Sequence, residues 1–349
     1  MRSITKAQPV RVGAVVGLAL AIAAGSTPVR AQGSLVLYCS VQEELCRAIV
    51  PAFEKATGIK VSMTRKSSGE VYAQIKAESA NPKGDVWWGG TGDPHLQAAE
   101  EGLTEAHKST KMSELHPWAA KAWEDAKGRT IGIYSGALGF GYNAKTLARR
   151  KLPEPKCWAD LLKPEFKGEV QVADPNSSGT AYTLLATIIQ LQGEAKGFDY
   201  LKQLHKNVNQ YTKSGAAPAK ATSLGETTIG IVFMHDMVAM AMQNPDVKTV
   251  APCEGTGYEI GSMSIIKGAR NLENAKKFYD FALTPAAQEL GANHKQLQIP
   301  SNKSSKVPAQ APKMESIKLI DYDFKKYGSS AERKRLLAKW VAEVKNLPK

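Results

Sequence analysis

The sequence predicts an α/β protein of two lobes, joined by crossing strands, with a ligand cleft between them. Three observations lead there. Short apolar runs alternate with amphipathic stretches from residue 34 onward, the pattern of βαβ units and of mostly parallel sheets covered by helices on both faces. The alternation breaks at "RTIGIYSGALGFGYN" (129–143) and again at "GYEIGSMSIIKG" (257–268), where β-like segments suit crossings between lobes. Turns rich in serine, threonine and glycine follow apolar runs, which places them beyond the carboxyl ends of strands, where such sheets bind ligands.

Taken in order, "SLVLYCS" (34–40) reads as a short buried strand, and "EELCRAIVPAFEKATG" as an amphipathic helix closed by Gly58. "IKVSMTRK" alternates like a strand, and "SSGEVYAQIKAESA" opens with helix-capping serines. "GDVWWGG" is a third strand, and "DPHLQAAEEG" a helix with Pro94 in its first turn. The 129–143 stretch reads as two β-like segments. Beyond it come "GEVQVADPNSSGTAYTLLATIIQLQG", "TTIGIVFMHDMVAMAMQ" and the helix "NLENAKKFYDFAL". The chain thus leaves the first lobe near 135 and returns near 260. The expected division is 1–31 a signal peptide, 32–135 plus 260–300 lobe 1, 136–259 lobe 2, and 301–349 a C-terminal helical segment packing on the lobes. Two independent domains in series are the alternative.

The first residues carry Arg2, Lys6 and Arg11 before an apolar run from Val12 to Ala24, and "VRA" precedes a cut expected after Ala31. That run is too short to span a bilayer and reads as a secretory leader that exports the chain, with an uncleaved anchor as the alternative. The net charge of +13 falls to about +9 without the leader. It is spread along the chain rather than blocked, which suits a solvated basic surface and attraction of small anions better than nucleic-acid binding. Cys39, Cys46, Cys157 and Cys253 suggest two disulfides in an exported chain. Three pairings are open, and local pairing, Cys39 with Cys46 and Cys157 with Cys253, is preferred. No C-x₂₋₄-C spacing supports zinc, and no metal or cofactor is expected.

The run "DVWWGGTGDPH" (85–95) is neither a P-loop, because Asp93-Pro94 stands where Lys-Ser/Thr is needed, nor a G-x-G-x-x-G fingerprint. Its glycines suit a ligand that approaches the backbone closely, with Thr91 offering a hydroxyl. Trp87 and Trp88 point to opposite faces, so one belongs to the core, and the other either walls the ligand or is core as well. Three helix starts share one chemistry: Ser40, Ser67-Ser68-Gly69 and Ser177-Ser178-Gly179-Thr180. Hydroxyls and free N–H groups at helix N-termini hold anions without needing a lysine. His235 and Asp236 follow the strand "IGIVF", and Glu259 lies in the return crossing. These suit hydroxyls or an ammonium group. A phosphoester hydrolase is the rival class, weakened by the lack of H-E-x-x-H and G-x-S-x-G.

"LVLYCSVQEELCRAIVPAFEKATGIKV", "GDVWWGGTGDPHLQAAEEGL", "GFGYN", "DPNSSGTAY", "FMHD" and "GYEIGSMSIIKGARNLENAKKFYDF" together resemble a periplasmic solute-binding protein of an ABC importer, of the ferric-ion-binding, transferrin-like class. The resemblance runs from about 34 to 300. It implies a type II periplasmic-binding-protein fold and a monomer that serves an inner-membrane permease and ATPase, or delivers ligand to a sensor kinase. The chain departs from the iron binders, with His235 where a Tyr-Tyr pair is expected and Gln42 where a His ligand is expected. Fe(III) wants anionic oxygen donors. "GGTGDPH", the His-Asp pair and the later Glu instead resemble the hexose-phosphate-binding (Afu-type) branch. That implies a ligand such as glucose 6-phosphate, its sugar read by His235, Asp236 and Glu259 and its phosphate held by the serine and threonine loops. 2-Aminoethylphosphonate is the alternative, then ferric iron.

Overall fold

The computed structural model describes Ser3 and residues 33–349; the expected leader and its cut otherwise lie outside the described residues. The chain runs β1 (Ser34–Cys39), α1 (Glu43–Thr57), β2 (Lys60–Arg65), α2 (Ser68–Ala77), β3 (Val86–Thr91), α3 (Gly92–Glu100), β4 (Thr104–Glu105) and α4 (Pro117–Asp125). It continues through β5 (Ile131–Asn143), α5 (Ala144–Arg149), β6 (Val170–Ala173), α6 (Gly179–Gln192), α7 (Glu194–Asn207), β7 (Val208–Thr212), α8 (Ala217–Leu224), β8 (Ile229–Phe233), α9 (Met234–Ala241) and β9 (Val247–Val250). Last come β10 (Tyr258–Ile266), α10 (Leu272–Ala282), α11 (Pro285–Asn293), β11 (Ile299–Pro300), α12 (Phe324–Tyr327) and α13 (Ser330–Trp340).

The strand order is β2-β1-β3-β10-β5-β8-β6-β7. β1 lies parallel to β2 and β3, and β6 parallel to β7 and β8. β10 and β5, the crossing strands, run antiparallel to their neighbours. β5 pairs with β10 along Ile131–Ala137 and with β8 along Leu138–Tyr142. It is therefore one continuous strand shared by two sheets, not the two segments the glycine-interrupted sequence suggested. Gly136, Gly139 and Gly141 break the apolar pattern because Met234, Met237 and His235 pack where their side chains would be.

Each sheet has its own core, as expected of a two-lobed α/β fold. One gathers Leu35, Leu37, Ile49 and Phe53 with Phe278, and the other gathers Tyr182, Phe198, Ile229 and Ile231. Because helices cover both faces of the inner strands β1, β3 and β8, those strands read as apolar runs, while the edge strands β2 and β7 stay partly exposed. Tyr322, Tyr327, Leu336, Trp340 and Val344 of the C-terminal segment join the second core. The same segment reaches α3, where Lys334 pairs with Glu101 at 2.6 Å. Gly58 closes α1 in the left-handed region (φ 73°), as its position predicts. The disulfides join Cys39 to Cys46 and Cys157 to Cys253, the local pairing. Among the described residues no helix is long and apolar enough to cross a membrane.

Candidate ligand-binding site

The residues that cap α1, α2, α3, α6, α8 and α9 are Gln42, Ser67, Thr91, Ser178, Ala216 and Phe233. All six line one cavity between the lobes. Every such terminus leaves backbone N–H groups unpaired and carries roughly half a positive charge. Converging them makes an electropositive chamber from uncharged parts.

The hydroxyls are set to donate. Trp87 Nε1–H donates to Ser40 Oγ at 2.9 Å, and Gly179 N–H donates to Ser68 Oγ at 3.1 Å. A hydroxyl has one proton, so an oxygen that already accepts from the protein has its proton left for the cavity. Thr91 Oγ1 is buried without a partner. Gly90 N–H donates to Tyr134 Oη at 2.8 Å, which likewise leaves the phenol proton free.

This explains the two tryptophans beside the glycines. His95 stacks on Trp87 with ring centroids 3.5 Å apart. Its Nε2 lies 3.1 Å from Gly89 O and its Nδ1 2.8 Å from Ser264 Oγ. A carbonyl only accepts, so Nε2 carries the proton and Nδ1 accepts from the serine. The histidine thereby fixes the indole that aims Ser40. Gly89 and Gly90 hold φ of 82° and 84°, a conformation that bends β3 away from its ladder and that side chains resist. Neither tryptophan walls the cavity; of the two alternatives, core for both holds. Trp87 is buried against Val71, Ile75 and Ala98, and Trp88 sits edge-on to Phe278 in the core that holds Leu35 and Phe53.

At the other end of the cavity lie His235, Asp236 and Glu259, all buried. His235 Nε2 is 3.8 Å from Asp236 and 3.9 Å from Glu259, too far for hydrogen bonds. Gln42 Nε2 donates to Asp236 Oδ1. Burial raises the Asp236 carboxyl, against the pull of His235 and Gln42. Burial and the nearby Asp236 raise Glu259 well above the usual range. Burial lowers His235 despite Asp236. A neutral imidazole and a protonated carboxyl each both donate and accept, as a sugar hydroxyl does.

A family model of bacterial extracellular solute-binding proteins matches residues 89–326. The chain belongs to that family. This solute-binding protein is 48% identical to an uncharacterised protein of Haemophilus influenzae over 90% of its own length and 92% of the relative's. It is 31% identical to a putative 2-aminoethylphosphonate-binding periplasmic protein of Salmonella paratyphi A, over 68% of each chain. The solved structure of the periplasmic binding protein AfuA from Actinobacillus pleuropneumoniae, with exogenous fructose-6-phosphate bound, superposes with a TM-score of 0.87 at 48% identity. That match covers 90% of this chain and all (100%) of AfuA, which bears out the resemblance to the Afu-type branch and the two-lobed fold.

The cavity of the solute-binding protein brings together Ser40, Ser67, Ser68, Thr91, Ser178, Gly179, Thr180, His235, Asp236 and Glu259. Gly69 and Ser177 do not line it. They meet each other instead, Gly69 N–H donating to Ser177 O at 3.0 Å, because the two helix starts touch at the cavity rim. Ser40 begins no helix, since α1 starts three residues later behind Gln42. Sequence reasoning missed Arg65, Tyr134, Gln298 and the Gly215–Ala216 turn on the wall. Arg65 also corrects the expectation of a purely neutral anion site. Its position as the last residue of a strand ending in the crevice could have revealed it.

Proposed function

We propose that this protein is the periplasmic receptor of an ABC importer and binds a phosphorylated sugar, a hexose 6-phosphate such as glucose 6-phosphate, without turning it over. One observation carries this reading: the Ser40 and Ser68 oxygens already accept protein N–H groups, so their protons are left to donate to an anion. Ser178, Thr180 and Thr91 add donors from both sides of the cavity. His235, Asp236 and Glu259 read the sugar hydroxyls. The fructose-6-phosphate bound by AfuA supports the same class of ligand. The leader at 1–31 sends the chain to the periplasm as a monomer. Its lobes, 32–135 with 260–300 and 136–259, close on the ligand about β5 and β10, and the closed form is handed to an inner-membrane permease.

The second reading is 2-aminoethylphosphonate, favoured by two carboxyl groups near one end of the cavity and by the Salmonella relative. An ammonium group wants ionised carboxylates, whereas burial holds Asp236 and Glu259 toward their neutral forms. Ferric iron ranks third, since one arginine and six helix N-termini repel a trivalent cation.

A thermal-stability panel of glucose 6-phosphate, fructose 6-phosphate, 2-aminoethylphosphonate, inorganic phosphate, glucose and ferric citrate tests the proposal. A ligand at 100 times its Kd adds about 2.7 kcal/mol, so the hexose phosphates should give the largest shifts. A shift with the phosphonate alone would transfer the site to the second reading, and release of free phosphate would make the protein a hydrolase.

A further inference from the structure

Arg65 is the one lysine or arginine on the cavity wall. It closes β2 half-buried, with Nε–H donating to Val41 O at 2.9 Å and a terminal nitrogen donating to Ser214 Oγ at 3.4 Å. Those acceptors stand on opposite sides of the cleft. Ser214 precedes Gly215, where a side chain would meet Thr180 Oγ1 and Ser178 Oγ, so the guanidinium approaches the hydroxyl-lined end. Among the described residues no carboxylate forms an ion pair with it.

A strap between a carbonyl and a hydroxyl needs donors but no charge, and a glutamine could make one. A full charge that forms no direct ion pair, acting on Asp236 only across space, is more than such a strap needs. Hydroxyls are neutral donors that serve any tetrahedral oxyanion, and a sulfate ester presents nearly the same shape as a phosphate ester. The helix ends favour the more highly charged ligand only through partial charges. A formal cation adds a full charge to that preference, and its attraction scales with the ligand's charge. A phosphate monoester passes from −1 to −2 with a pKa near 6, while a sulfate ester stays at −1.

We infer that Arg65 is the residue by which this site distinguishes a dianionic phosphate ester from a monoanion of the same shape. The inference rests on the phosphate-ester reading above. The groups that face Arg65 in the cavity are Asp236 and His235 from α9, Glu259 from β10 and Tyr134 from β5, and each could add its own pH dependence. Comparing two esters at each pH cancels those contributions.

Isothermal titration of glucose 6-phosphate and glucose 6-sulfate at pH 5.5 and 7.5, on the wild type, Arg65→Gln and Arg65→Lys, tests it. The wild type should prefer phosphate by about tenfold or more at pH 7.5, and the preference should shrink at pH 5.5. Because the lost attraction is proportional to charge, Arg65→Gln should cut the preference at pH 7.5 by about threefold or more, weakening the sulfate ester by about that factor and the phosphate ester by about its square. Arg65→Lys should restore the preference and its pH dependence. If Arg65→Gln loses both esters equally, or keeps the wild-type preference and its growth with pH, Arg65 is only a strap and the inference fails. A wild type that binds neither ester overturns the phosphate-ester reading, and this inference with it. A thermal melt of each variant separates loss of binding from loss of fold.

Discussion

Ser68 Oγ accepts the backbone N–H of Gly179 at 3.1 Å, joining the first turn of α2 to the first turn of α6 between residues 111 apart. The approach is possible only because position 179 has no side chain: a Cβ there would lie 1.8 Å from Thr91 Oγ1. Gly179→Ala should therefore hold the lobes apart. We expect glucose 6-phosphate affinity to fall at least about tenfold, or 1.4 kcal/mol, while the unliganded protein melts within a few degrees of wild type. Small-angle scattering with saturating ligand should show less compaction than in the wild type. Full compaction and full affinity would mean that the contact is incidental.

The two ends of the cavity should fail differently. Glu259→Ala or Asp236→Ala removes groups that face the sugar, so glucose 6-phosphate should weaken by about 10- to 100-fold and inorganic phosphate by much less, since unpaired buried polar groups discriminate strongly. Ser178→Ala should weaken both ligands alike, by about 0.5–1.5 kcal/mol. Calorimetric titration of both ligands on all three variants decides. Equal losses of the two ligands in the acidic variants would reverse the assignment.

His95 gives a pH signature. Burial pushes its imidazole down to about 3, against the favourable bond to Gly89 O. The unfolded chain then binds a proton below about 6.5 that the folded chain refuses, so stability is complete above that pH and falls as pH drops toward 3. The loss is about 1.4 kcal/mol per pH unit. His95→Gln abolishes this slope but loses the stack on Trp87. Urea unfolding should find the variant less stable at pH 7 and the gap narrowing by pH 5. A constant gap would show that the histidine titrates normally.

The bridges differ in what they hold. Cys157 and Cys253 are 96 residues apart, a long closed loop, so replacing both with serine should cost roughly 2–5 kcal/mol of stability. Cys39 and Cys46 are seven residues apart and enclose Ser40, Val41 and Gln42 of the wall. Replacing that pair should cost less stability and show chiefly as weaker binding. Thiol titration of denatured, unreduced periplasmic protein should count no reactive groups.

Most of the fold was legible because its strands are buried on both faces and its helices carry caps. Gly58, Pro94 and the serines before α2 marked their boundaries by local chemistry. β5 was misread because its glycines answer to side chains from α9, a demand that arises only in three dimensions. The site divided the same way. Helix-start hydroxyls and the His235-Asp236 pair announced themselves by position after strands. Ser40 was chosen for the wrong reason, since its hydroxyl is aimed by an indole rather than by a helix. Arg65 looked like any exposed strand arginine, and Gly69 and Ser177 looked like site residues until their mutual contact placed them on the rim.

That rim has a consequence for timing. While Gly69 meets Ser177 and Ser68 meets Gly179, a sugar phosphate has no passage between those two helix starts. Release from the closed form must wait for the lobes to part there. The dissociation rate should then follow the frequency of opening. The strength of two hydrogen bonds, rather than diffusion, would set how quickly each molecule is passed on.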